Sequence, residues 1–224
     1  MADLEEKRIV DLSHVIEHGM TTYPGLPGPQ ICDFWERKAT GANYNDGSTF
    51  QIDRIDMVAN TGTYVDSPFH RYADGIDLAD LPLPSLADLP GIVIRRPWEN
   101  DIEIGPDAFE GHDVRGKAVL VHTGWDRHWR TDRYGDNHPF LTGEAADWLV
   151  EQGALFVGID SNNIDDTRGR SRPVHTKLLG AQIPICEHMT NLGSLPDEGF
   201  RFSAVPPKVR GMGSFPVRAY AVLG

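Results

Sequence analysis

Short apolar runs, separated by segments rich in proline and glycine, recur along the chain. Runs of this length, bounded by turn-forming residues, are typical of β-strands. They predict strands over residues 8–12, 91–95, 117–123, 154–159, 183–186, 200–205 and 217–223. Residues 50–58 instead alternate apolar and polar side chains, which predicts a strand with one face in the core and the other in solvent.

The clearest helix signal lies in residues 142–153. Thr142 is suited to the N-cap, apolar side chains then recur at helical spacing, and Gly153 is a natural stop. Because this helix lies between two predicted strands, it indicates a right-handed crossover and a parallel strand pair. A second, shorter helix is predicted over residues 175–179. Strands outnumber helices, so the pattern predicts one α/β domain over residues 1–224, with a mixed sheet and few helices.

The composition narrows the classes of function. A chain of 224 residues is long enough for one domain with a substantial core. The formal net charge of -12 argues against a nucleic-acid partner, which needs a basic face, and against binding to an anionic membrane surface. The expected partner is therefore a small-molecule substrate.

The two cysteines, Cys32 and Cys186, are too few for a disulfide framework. Both have apolar neighbours, which predicts that both are buried packing residues. The first residues of the chain are charged, and no apolar stretch approaches the length of a membrane span. These features predict a cytoplasmic location.

Two pairs of residues with catalytic potential stand far apart in the sequence. Asp66 and His70 flank Pro68, which excludes a regular helix and places them on a loop or at a strand end. His175 lies at the start of the second helix, and Glu187 directly follows an apolar run, where a buried carboxylate needs a partner. Taken alone, these residues are also compatible with structural roles as a turn cap, packed histidines and a solvent-facing glutamate.

The segment from Asn60 to His70 reads Asn-Thr-Gly-Thr-Tyr-Val-Asp-Ser-Pro-Phe-His. It resembles the motif His-x-Gly-Thr-His-x-Asp-x-Pro-x-His of the cyclase-type metal-dependent hydrolases, the family of bacterial kynurenine formamidase and isatin hydrolase. Matches in the same order extend along nearly the whole chain: Asp11-Leu-Ser-His14, Tyr23-Pro-Gly25, Thr123-Gly-Trp125, Gly158-Ile-Asp160, Asn191-Leu192 and Pro216-Val-Arg218. The resemblance implies a fold of the swivelling β/β/α type and assembly as a homodimer or homotetramer.

The resemblance also implies two sets of metal ligands that share one aspartate. Carried over by position, the first set would be Asn60, Tyr64 and Asp66, and the second Asp66, His175 and Glu187. A neutral phenol, with a pKa of about 10, is a poor ligand, and an amide oxygen suits hard ions rather than zinc. The first set is therefore broken and the second complete. The expected cofactor is one divalent ion (manganese, zinc or magnesium), with a metal-free site as the alternative.

His70 matches the catalytic histidine of that family, and an imidazole suits proton transfer at neutral pH. Tyr64 either fills the space of the lost ligand or, like Asn60, donates a hydrogen bond to a substrate carbonyl. The leading hypothesis is a metal-dependent hydrolase of a small amide, formamide, lactam or lactone, with an aromatic substrate in view of nearby aromatic residues. Two alternatives stay open: a metal-free acid–base enzyme (isomerase, lyase or cyclase) on the same fold, and a catalytically degenerate homologue that binds a small ligand.

Residues 168–172 include three arginines directly before His175. Such a loop is either a solvated surface segment or a clamp for an anion beside the site, because guanidinium forks suit carboxylates. The sequence leaves both interpretations open.

Overall fold

The computed structural model describes residues 8–224. In this range the chain forms thirteen strands: β1 (Arg8–Asp11), β2 (Gln30–Trp35), β3 (Ile52–Asp56), β4 (Tyr64–Asp66), β5 (Leu89–Arg95), β6 (Glu103–Ile104), β7 (Ala118–His122), β8 (Phe140–Leu141), β9 (Phe156–Ile159), β10 (Ile185–Glu187), β11 (Phe200–Ser203), β12 (Ser214–Pro216) and β13 (Tyr220–Leu223). Nine of these strands form one sheet in the order β1-β13-β11-β5-β7-β9-β10-β4-β12. The four central strands β5, β7, β9 and β10 are parallel, and the flanking pairs are antiparallel.

Within the described residues, three α-helices accompany the sheet: α1 (Arg37–Thr40), α2 (Gly143–Gln152) and α3 (Pro173–Gly180). The Thr142 side chain accepts a hydrogen bond from the Ala145 N–H at 3.1 Å, and Gly153 ends α2 at a φ of 79°. Since α2 follows β7 and precedes β9, and these two strands pair in parallel, the predicted helix and parallel pair are confirmed. The mixed α/β fold with few helices is confirmed as well.

The central strands are mainly apolar because the core covers both faces of the sheet. In β7, Val119 and Val121 pack in a cluster with α2 and α3, whereas Ala118 and Leu120 pack in a second cluster with Phe202. These four residues of β7 are fully buried. Two-sided burial is typical of parallel strands covered by other elements, and it explains why these segments read as continuous apolar runs.

The predicted half-buried strand over residues 50–58 is wrong in its packing. The observed strand β3 pairs with β2 in a separate two-stranded sheet, and all of its residues are exposed. This pairing gives neither face a sheet to pack against, so Ile52 and Ile55 stay in solvent despite the alternating pattern. It also leaves Cys32 exposed on β2, which contradicts the prediction for that cysteine, whereas Cys186 is buried on β10 as predicted.

No helix within residues 8–224 is long and apolar enough to cross a membrane. Residues 1–7, whose charge entered the prediction of a cytoplasmic location, lie outside the described range.

Candidate metal centre and active site

Three adjacent strands at one edge of the large sheet position the predicted site. Strand β4 lies between β10 and β12, with Tyr64 opposite Glu187 and Asp66 opposite Ser214. Residues two apart on a strand point to the same face. Tyr64 and Asp66 therefore share a face, and all four side chains are buried.

His70 is held close to this strand edge by a tight approach of the backbone. Pro68–His70 forms a single 3₁₀ turn directly after β4. A Cβ atom at position 213 would lie only 2.5 Å from the His70 backbone nitrogen, so glycine is required there. The glycine at 213 thus lets the segment before β12 pack against the turn that carries His70.

Two of the three predicted metal ligands, Asp66 and Glu187, each lie close to the third, His175. The His175 Nε2 atom lies 3.5 Å from Asp66 Oδ2 and 3.5 Å from Glu187 Oε1. Two metal–ligand bonds of about 2.1 Å that meet at a near-tetrahedral angle place their ligand atoms about 3.4 Å apart. Asp66 Oδ2 is buried and has no hydrogen-bond partner within residues 8–224, so one lone-pair acceptor is left open at this point. Asp66 and His175 therefore fit a divalent ion, with Glu187 on the other side of His175 Nε2.

Asp165 fixes the orientation of His175. One carboxylate oxygen of Asp165 accepts a hydrogen bond from His175 Nδ1 at 2.6 Å and from the His175 backbone N–H at 3.0 Å. The other accepts the Val174 N–H at 2.8 Å. A carboxylate on one ring nitrogen commonly orients a metal-binding histidine, because it leaves the opposite nitrogen as the ligand.

The charge around His175 also favours a cation. Burial by itself lowers the pKa of this histidine, but the negative charge of Glu187, the hydrogen bond to Asp165 and the nearby Asp66 carboxylate outweigh burial and raise the pKa to about 10. The same negative field would stabilise a divalent ion beside Nε2.

Glu187 is held by a group of hydrogen-bond donors. Its Oε1 atom accepts the Ile164 N–H at 2.7 Å, and its Oε2 atom accepts hydrogen bonds from the hydroxyls of Tyr64 and, at 3.2 Å, Tyr23. Burial first, and then the charge of Glu187, raise the pKa of the Tyr64 phenol well above its ordinary value. Tyr64 is therefore a neutral donor to a carboxylate rather than an anionic ligand.

His70 is linked to Asp66 through Ser214. The Ser214 hydroxyl donates a hydrogen bond to Asp66 Oδ1, and the Ser214 Oγ atom lies 2.9 Å from His70 Nδ1. Because the single hydroxyl proton is directed at Asp66, the serine oxygen accepts a hydrogen bond from Nδ1–H of His70, which leaves Nε2 as the acceptor nitrogen of that ring. Asp66, His70 and His175 form a group whose ligand atoms lie within 4.8 Å of one another, and this group does not include Glu187, so His70 is a possible ligand beside Asp66 and His175.

A cavity of about 200 Å³ opens onto this cluster. Among the predicted residues, it is lined by Asn60, Tyr64, His70 and His175. Asp66 and Glu187 lie behind this lining and are fully buried. The structure therefore brings together all six residues singled out from the sequence.

The sequence did not reveal the supporting roles of Asp165 and Ser214. Asp165 precedes α3 by several residues, so no local capping pattern identifies it as a partner of His175. Ser214 lies far from Asp66 along the chain and meets it only through the pairing of β12 with β4. Tyr23 was noticed as part of the Tyr23-Pro-Gly25 match, but its contact with Glu187 was not.

The sequence profile of the Cyclase family matches residues 10–166. The chain belongs to the Cyclase family. The match covers most of the chain, including Asn60, Tyr64, Asp66 and His70, and confirms the family resemblance.

Curated members of similar sequence carry the name kynurenine formamidase. The protein from Geobacillus thermodenitrificans is 28% identical over 213 residues, which cover 94% of this cyclase-family chain and 95% of the relative. The protein from Erythrobacter litoralis is 25% identical over 208 residues, which cover 91% of this chain and 88% of the relative. Isatin hydrolase A from Labrenzia aggregata superposes with a TM-score of 0.81 at 22% identity, over 97% of this chain and 94% of that one, which establishes the common fold. The predicted class, a cyclase-family hydrolase, agrees with these relatives.

Replacing Tyr64 by phenylalanine is expected to lower turnover about tenfold while the metal content stays unchanged. The change removes one charge-assisted hydrogen bond to Glu187 Oε2, of a kind that contributes about 1.5–3 kcal/mol. Oε1, which faces His175, keeps its bond from Ile164. Steady-state kinetics and elemental analysis of the same preparations test this result. The exposed Tyr44, changed to phenylalanine, is the control, and loss of the ion from Tyr64→Phe would contradict the expectation.

Proposed function

We propose that this protein hydrolyses a small amide, formamide, lactam or lactone at a site with one divalent ion. The observation that carries the proposal is the convergence of Asp66 Oδ2 and Glu187 Oε1 on His175 Nε2, at 3.5 Å each, beside a cavity lined by His70. The names of the relatives support the same class of reaction.

Asp66, His175 and Glu187 would hold the ion. A bound divalent ion supplies Lewis acidity and makes water acidic enough to react near neutral pH. His70 accepts the proton of the attacking water at Nε2 and returns it to the leaving nitrogen or oxygen, because Ser214 engages Nδ1. The contact with Ser214 also restrains the rotation of the His70 ring. Asp66 thus has two roles: it would bind the ion, and through Ser214 it supports the proton carrier His70.

Tyr64 and Asn60 have different roles in this scheme. The Tyr64 hydroxyl donates to Glu187, so it positions a ligand rather than contacting the substrate. Asn60 lines the cavity and is partly exposed, so its amide is the candidate donor to the substrate carbonyl. The structure thus favours separate functions for the two residues that replace the family histidines.

Elemental analysis of the purified chain, before and after incubation with manganese, magnesium or zinc, is the direct test. We expect about one ion per chain, and hydrolysis of formanilide or a related amide or lactone that is lost on chelation and restored by the ion. Turnover with no ion under any condition would instead favour the metal-free acid–base alternative. Neither an ion nor turnover would favour the ligand-binding alternative.

A further inference from the structure

Two arginines border the same cavity as His70 and His175. Arg71 directly follows His70 and is exposed, and Arg172 is the N-cap residue of α3 and is partly buried. Thr176 connects them, because its hydroxyl oxygen lies 3.1 Å from Arg71 Nε and donates to the Arg172 carbonyl at 2.8 Å. The two arginines are therefore linked through Thr176 where they line the cavity.

Most of the donor capacity of these guanidinium groups is unused. Arg71 donates from Nε alone, and Arg172 donates from Nη1 alone, to the carbonyl oxygens of Asp166, Gly169 and Ser171. Their other nitrogens have no hydrogen-bond partner within residues 8–224. The contacts of Arg172 hold its side chain in place while Nε and Nη2 stay available.

Neither guanidinium has a carboxylate partner within residues 8–224. Several other arginines in this chain of net charge -12 do pair with acidic residues. On the neighbouring loop, for example, Arg168 pairs with Asp166 at 2.8 Å, and on another surface Arg210 pairs with Asp77 at 3.5 Å. The charges of Arg71 and Arg172 are therefore available to an anion in the cavity that both residues line.

We infer that Arg71 and Arg172 bind a carboxylate group of the substrate, so that the protein selects an amide that is also an anion. This inference rests on the proposed hydrolase function and names the class of its substrate. A guanidinium fork matches the two oxygens of a carboxylate, and the negative charge of the chain as a whole would otherwise repel such a substrate. In a cavity of about 200 Å³ the carboxylate must lie close to the scissile bond. Of the predicted arginine loop, only Arg172 lines this cavity; Arg168 is engaged with Asp166.

The test compares the binding of benzoate and benzamide, which have similar shapes but differ in charge, to the full-length chain by calorimetry. We expect benzoate to bind at least about tenfold more tightly, because one charge-assisted hydrogen bond contributes at least that much to the affinity. Arg71→Gln and Arg172→Gln should each remove most of this preference and leave the metal content unchanged. An unchanged metal content shows that the preference was lost with the arginine and not with an ion to which benzoate could bind. Arg170→Gln removes the same charge from an exposed position on the same loop outside the cavity, and should retain the preference.

Equal affinities for benzoate and benzamide in the unsubstituted chain would overturn the inference. An equal loss in Arg170→Gln would also overturn it, because a general effect of net charge would then suffice. So would a preference that survives in both Arg71→Gln and Arg172→Gln. The hydrolase proposal fails separately: a chain that prefers benzoate through both arginines but cleaves no amide or lactone retains the anion site and loses the assigned reaction.

Discussion

Replacing His175 by alanine is expected to abolish stoichiometric metal binding and to lower turnover by more than about 100-fold. Its Nε2 atom lies 3.5 Å from both Asp66 Oδ2 and Glu187 Oε1, so it is the common member of the ligand set. Removing even a residue that only orients a metal ligand typically lowers metal affinity or activity by about 10–100-fold. Removal of a ligand should therefore cost more. Elemental analysis and steady-state kinetics measure the two effects.

The same substitution should also destabilise the metal-free protein. It leaves the buried carboxylates of Asp66, Asp165 and Glu187 without the imidazole that they share. Removing one partner from a buried ion pair costs about 3–5 kcal/mol, so thermal unfolding must be recorded for each variant. His112→Ala, at an exposed position, is the control for histidine removal. A folded His175→Ala protein that keeps both its ion and its turnover would refute the assigned ligand set.

Replacing Asp165 by asparagine is expected to weaken metal binding by about 10–100-fold and to lower the melting temperature. The carboxylate accepts hydrogen bonds from His175 Nδ1 and from the backbone N–H groups of Val174 and His175. An amide has only one acceptor oxygen, so at least one of these donors loses its partner. A loss of about 2 kcal/mol corresponds to a decrease of about 4–8 °C in the melting temperature of a chain of this size.

The neighbouring residue offers a matched control for this change. Asp166 is also an aspartate, but it is more exposed and pairs with Arg168 at the surface. Exposed ion pairs contribute only about 0–1 kcal/mol, so Asp166→Asn should leave metal affinity unchanged and barely alter the melting temperature. Metal titrations and thermal unfolding of the two variants give the comparison. Equal effects of the two substitutions would contradict an orienting role of Asp165.

Several features of the fold followed from local sequence. The α2 helix was predicted because Thr142 and Gly153 act on backbone groups within a few residues of them. The central strands were predicted because burial on both faces demands apolar side chains throughout. The β2–β3 pair was misjudged, because alternation reports which side chains can face a core and not whether a core lies there.

The candidate site divides in the same way. The sequence by itself determined the residue types: the Asn60–His70 segment, His175 and Glu187 were recognised from their resemblance to the family, and so was the presence of Asn60 and Tyr64 where the family motif has histidines. Only the tertiary structure decided what those residues contact. Asp165, on the loop before α3, is hydrogen-bonded to His175, and Ser214 contacts Asp66 because β12 pairs with β4. Such contacts depend on strand order and on the path of loops, which are set by packing of the whole chain and leave no periodic signal in the sequence around each residue.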